Sequence, residues 1–178
     1  MVLRVFWGLK KSPEELAALG VTLGADVPVF VHGQAAWAEG IGEELTPLEL
    51  PEPVFLLVRP DATVSTAEIF KAAELTRDSP AITIRDFLQT GGRNDCEPVV
   101  RQRFPPVGEA LDWLARFAPA RLTGTGSCVF AEMPNEARAR EALERLPGRW
   151  TGYVVRGLNR SPLVARCRLE RQASGPGR

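Results

Sequence analysis

The pattern that most constrains this chain lies between Val54 and Arg156, where apolar stretches change their repeat in a fixed order. VFLLVRP, from Val54, is a short continuous apolar run ended by proline, as expected of a buried strand. Ser65 with Glu68 reads as a capping box that opens a helix running through Lys71. Helical stretches are expected near residues 83–88 and 96–103, and Val107, Ala110, Leu111, Leu114 and Phe117 repeat at helical spacing. ARLTG and SCVFAEM read as strands joined by a glycine turn. Ala139, Ala142, Leu143 and Leu146 mark an amphipathic helix, and WTGYVVRG a closing strand. The order strand, helices, strand, strand, helix, strand is the split βαβ arrangement of ferredoxin-like α+β folds, here with a helical insertion. Many unrelated activities use that fold, so it names no function.

Upstream, Ser12, Pro13 and Glu15 start a helix that Gly20 is expected to end. Residues 2–9 read as the end of another apolar helix. PVFVHG and AAWAEG read as two short strands, followed by a turn at Gly40 and Gly42. EELTPLELPEP, broken by proline, reads as a connection between subdomains. The polar, Gly/Pro-rich stretch from Arg168 reads as a frayed tail. The expected division is residues 1–50, then a domain over 51–165, then a disordered tail over 166–178.

Composition excludes several classes. Hydrophobic residues make up 44% of the 178, which suits a packed core. With 22 basic and 22 acidic residues, the chain lacks the cationic excess that nucleic-acid binding draws on. The three cysteines, Cys96, Cys128 and Cys167, are odd in number and widely spaced, which argues against a disulfide framework or zinc site and for a reducing cytoplasm. No apolar run is long enough to span a bilayer, and the amino terminus does not read as a signal peptide.

Four segments could carry chemistry, and each has a plainer reading. In LGADVPVFVHG, Asp26 sits between glycine and proline among valines and Phe30; it reads as a partly desolvated general base or as a turn residue. In RLTGTGSCVFA, residues Thr123, Gly124, Thr125, Gly126 and Ser127 form a loop that can turn backbone N–H groups toward an anion, or a tight turn between strands. It is not a Walker loop, since no GKS or GKT follows. Asp95, in RNDCE, reads as a helix cap. Thr66 and Phe70, one turn apart, can face the same cleft, although Phe70 by itself reads as core. His32 has no metal-ligand partner at a useful spacing and reads as structural or surface, and Cys128 as buried and inert.

In order, LGADVPVFVHG, AAWAEGIGEEL, STAEIFK, GRNDCEPVV, ARLTGTGSCVFAE and GLNRSPL resemble the carboxyl-terminal part of the 4-diphosphocytidyl-2-C-methyl-D-erythritol kinases, a family of the GHMP superfamily. The resemblance implies a GHMP-kinase C-terminal domain with a remnant of the N-terminal kinase domain before it. It implies phosphorylation by ATP, with Mg2+, of the 2-hydroxyl of a cytidyl-diphosphate substrate in non-mevalonate isoprenoid synthesis. It matches Asp26 to the catalytic aspartate, and Thr66 and Phe70 to the substrate segment, with Phe70 on the cytosine ring. Ile41 matches a small apolar position near that pocket, and residues 123–127 the phosphate-side motif. The expected assembly is a monomer or weak homodimer. The family's earlier elements have no counterpart in these 178 residues: the strand with its catalytic lysine, the cytidine-holding aromatic and histidine, and the Gly/Ser-rich ATP loop. Without the donors and helix dipole of that loop, this polypeptide alone is expected to have little or no kinase activity. A non-catalytic ferredoxin-like binding or regulatory module is the alternative, and an RNA-binding version ranks behind it.

Overall fold

A computed structural model describes residues 10–173. The expected helix over residues 2–9 lies outside them. The chain divides into two compact units, one formed by the described residues up to Glu52 with those from Leu158 onward, the other by Pro53–Gly157.

The first unit opens with helix α1, Pro13–Val21, whose capping box is complete: Ser12 Oγ accepts from Glu15 N and Glu15 reaches back to Ser12 N. Gly20, expected to end the helix, lies inside it, buried against Val27. PVFVHG is a helix, not a strand. Helix α2 spans Val27–His32, because Pro28 suits a first helical turn and Gly33 closes the last one in the left-handed region (φ 63°), donating to Val29 O. Strands β1, Ala36–Glu39, and β2, Glu44–Pro47, pair antiparallel across the Gly40–Gly42 turn, so the first part of the supposed connection EELTPLELPEP is a strand.

Asn159 returns the chain to this unit: its side chain donates to Leu50 O and accepts from Leu50 N, while its carbonyl accepts from Ala35 N. Helix α8, Pro162–Ala173, follows. Residues 158–165 therefore belong with the first unit, and residues 168–173 are helical where a frayed tail was expected. An i,i+4 ion pair between Arg166 and Glu170 at 2.6 Å favours that helix, a signal outweighed in the sequence by the Gly/Pro content just beyond it.

The second unit holds β3 (Val54–Arg59), α3 (Thr66–Lys71), α4 (Ile84–Thr90), α5 (Cys96–Arg103), α6 (Pro105–Ala115), β4 (Ala120–Leu122), β5 (Val129–Met133), α7 (Glu136–Glu144) and β6 (Thr151–Arg156). Its sheet runs β4-β5-β3-β6, all antiparallel, the expected ferredoxin-like order with α4 and α5 as the insertion. The period-two alternation gives the sheet one dry face. Val54, Leu56, Val58, Leu122, Val129, Ala131 and Met133 are buried with Val107, Ala110, Leu111 and Leu114 of α6 and Ala139 and Ala142 of α7. On the other face Phe55 and Phe130 meet edge-on at 5.7 Å, and Tyr153 and Val155 are exposed. Among the described residues no helix is long and apolar enough to cross a membrane.

Candidate functional site

In the second unit the glycine loop and the start of α3 meet. Thr66 Oγ1 and Thr125 Oγ1 lie 2.9 Å apart, so two segments singled out separately in the sequence share a hydrogen bond. Residues 123–127 bridge β4 and β5; Thr123 N donates to Cys128 O and Gly126 N to Thr123 O. Gly124 and Gly126 take φ of 55° and 85°, which a side chain would oppose. Thr123 and Gly124 are exposed.

Helix α3 starts at Ser65, whose hydroxyl accepts from Glu68 N, but the expected box is only half made. The Glu68 carboxylate turns to Arg103 instead, at 3.6 Å, and Arg103 also holds Glu74. Ile69 fills the core position, so Phe70 points outward at 58% exposure; the core reading of Phe70 is wrong by one residue of helical rotation.

The NDCE segment holds residues that the sequence reading missed. Asp95 occupies the cap position of α5 yet makes no cap bond, because its carboxylate pairs with Arg93 at 2.7 Å and accepts from Ser79. The working residues are its neighbours. Asn94 Nδ2 donates to Leu122 O at 3.1 Å and to Gly124 O at 2.7 Å, and its Oδ1 accepts from Cys96 N at 2.9 Å. Glu97 Oε2 accepts from Leu122 N at 3.0 Å. A polar pair spaced i,i+3 at a helix start shares one face, and that spacing was the available signal. Burial, then the Asp95 charge, pushes the Cys96 thiol up, so it stays protonated at neutral pH and is a poor nucleophile. Cys128 is half-buried rather than buried, because β5 begins one residue after it. A cavity of about 620 Å³ opens beside this segment, lined among others by Phe87, Arg93, Asn94, Glu97, Arg121 and Phe130.

Residues 72–151 match the family model described as GHMP kinases C terminal. That stretch, inside the second unit, is a GHMP-kinase C-terminal domain. The chain is 56% identical to the 4-diphosphocytidyl-2-C-methyl-D-erythritol kinase of Alkalilimnicola ehrlichii, over 94% of this chain and 58% of that protein. It is 53% identical to the kinase of the same name from Halorhodospira halophila, over 92% and 58%. A crystal structure of 4-(cytidine 5'-diphospho)-2C-methyl-D-erythritol kinase superposes with a TM-score of 0.68 at 27% identity, covering 88% of this chain and 61% of that one. The chain thus spans about 58% of the length of the curated relatives it matches. The glycine loop lies within the matched residues, and the Thr66 helix start just before them.

Asp26 and Ile41 lie in the first unit. Asp26 precedes α2 without a cap bond and is exposed, which corrects the expectation of a desolvated carboxylate: neighbouring Phe30 is itself turned to solvent and shields nothing. Ile41 is 70% exposed. Its turn lies against the Asp26 loop, because a Cβ on Gly42 (φ 119°) would come within 3.2 Å of Ala25 O. His32 is exposed.

Proposed function

We propose that this chain is part of a kinase that transfers the γ-phosphoryl group of ATP to the 2-hydroxyl of 4-diphosphocytidyl-2-C-methyl-D-erythritol, in the cytoplasm, for isoprenoid synthesis. The observation that carries the reading is the collinear likeness, along nearly the whole chain, to kinases of that name. The Thr66–Thr125 contact adds geometric support, since it joins the segment assigned to substrate with the loop assigned to phosphate.

On this reading Asp26 accepts the proton of the 2-hydroxyl, the oxygen attacks the γ-phosphorus, and the bond to the β-phosphate oxygen breaks to release ADP. Residues 123–127 fit a phosphate neighbour: Gly124 has no atom within 4 Å of where a Cβ would stand, so an anion can approach the backbone. Among the described residues no three acidic, histidine or cysteine side chains gather as a metal cage. Mg2+ enters with ATP as part of the substrate.

Phe70 and Ile41 offer apolar surface, Phe70 to the cytosine ring. Phe70→Ala is expected to weaken cytidine 5'-diphosphate binding by about 1–3 kcal/mol, the usual worth of base stacking on an aromatic ring, while leaving the melting temperature unchanged. Calorimetric titration beside a thermal melt checks this, and unchanged affinity would remove Phe70 from the site. The function itself is tested with a chimera in which this chain replaces the matching part of the Alkalilimnicola ehrlichii kinase. The chimera is expected to phosphorylate the cytidyl substrate and to leave methylerythritol without the cytidyl group untouched. The 178-residue polypeptide alone is assayed beside it. A folded chimera without activity would count against the reading.

A further inference from the structure

We propose that Asn94, backed by Glu97, is a positioning residue that sets the backbone of the 123–127 loop. The inference rests on the kinase reading only for what the loop faces; the clamp itself rests on geometry. Both atoms that Asn94 Nδ2 approaches are carbonyl oxygens, Leu122 O at 3.1 Å and Gly124 O at 2.7 Å. Only the amide NH2 can donate to both, so chemistry fixes which way the side chain is turned. Its Oδ1 then faces Cys96 N at 2.9 Å, and all three groups are satisfied at once.

The consequence lies in the peptide units. In a trans peptide C=O and N–H point in opposite directions. Holding Leu122 O toward Asn94 therefore turns Thr123 N away from it, where that N–H donates to Cys128 O at 3.1 Å. Holding Gly124 O the same way turns the Thr125 N–H outward, away from α5. Thr125 also carries the hydroxyl that meets Thr66 at 2.9 Å. Glu97 fixes the other side of the Leu122 residue, accepting from Leu122 N at 3.0 Å, with Arg101 at 3.9 Å beside its carboxylate. One side chain from the turn before α5 and one from its first turn thus determine which way a loop on the neighbouring hairpin presents its donors. An outward N–H next to a hydroxyl suits an anionic phosphoryl oxygen.

Hydrogen exchange of the whole 178-residue chain, read amide by amide by NMR, tests the clamp. In Asn94→Ala the amides of Thr123 and Gly126 are expected to exchange about tenfold faster or more, while Leu56 in β3 changes by less than about threefold. Asn94→Asp separates a loop clamp from a helix start: it keeps the acceptor for Cys96 N and replaces the donor by an oxygen facing two carbonyls. The clamp requires Asn94→Asp to loosen the loop at least as much as alanine does. Loop exchange in Asn94→Asp equal to that of the unaltered chain would overturn it. If Asn94 variants do not fold, Glu97 decides: Glu97→Ala is expected to speed Thr123 exchange about tenfold and Glu97→Gln, which keeps an acceptor, to restore it. Equal exchange in the two Glu97 variants would overturn the proposal. Inorganic tripolyphosphate added to the unaltered chain is expected to shift the amide resonances of residues 124–127. Unmoved resonances would overturn the phosphate-side reading and leave the clamp to be judged on exchange alone.

Discussion

Asp26→Asn in the chimeric kinase is expected to lower kcat by about 10²- to 10⁴-fold, the range over which a positioned general base acts. KM for the cytidyl substrate should stay within about threefold, because the amide keeps the shape and one acceptor of the carboxylate. The substitution should cost little stability. Asp26 is exposed and makes no cap bond to α2, so a change of no more than about 0.5 kcal/mol is expected. That separation gives the test its force, since a rate loss without a stability loss cannot come from unfolding. Steady-state kinetics beside a urea melt measures both, and a kcat within threefold of the unaltered chimera would remove Asp26 from the mechanism.

The second large effect concerns the core of the second unit. Leu56→Ala is expected to destabilise the chain by about 2–5 kcal/mol, the range for emptying a closely packed leucine site. Leu56 is fully buried at the centre of β3, between β5 and β6 and under the helices of the dry face. One strand over, Tyr153→Thr on the opposite face should change stability by no more than about 0.5 kcal/mol, because Tyr153 is 49% exposed. Urea unfolding of both variants tests the one-sided core. Similar losses in the two would mean that the outer face is as tightly packed as the inner one. The contrast also separates the fold from the candidate site, since neither position lies in the 123–127 loop.

The elements of the second unit were legible because their apolar residues carry two distinct repeats. Val54, Leu56 and Val58 alternate, whereas Val107, Ala110, Leu111 and Leu114 step by three and four. Misreadings arose where one short segment satisfied both templates. VPVFVH is β-branched and apolar enough for a strand, but Pro28 in its first turn and Gly33 after its last residue close it as a helix. EELTP looked like a linker because of Pro47, yet that proline ends a strand whose register is fixed by β1.

The candidate site residues divide in the same way. Asp26, Thr66, Phe70 and the residue types at 123–127 could be picked out from the chain, because glycine pairs, hydroxyls and a proline-flanked aspartate leave local marks. What their side chains do could not be picked out in the same way. Whether Phe70 or Ile69 points into the core depends on how α3 is rotated over the sheet, and packing decides that. Asp95 looked like the cap, but its carboxylate pairs with Arg93, two residues before it, and the fold brings Ser79 to its other oxygen. Asn94 meets Gly124 across 30 residues of chain, a pairing with no local trace.

The sequence by itself thus determined the element order of the second unit, its ferredoxin-like class and the family it resembles, because these follow from local periodicity and from collinear motifs. The tertiary structure alone decided that Asn94 and Glu97, rather than Asp95, hold the glycine loop. The physical reason is that a hydrogen bond is a matter of distance and direction, and both are set by the packing of α5 beside β4.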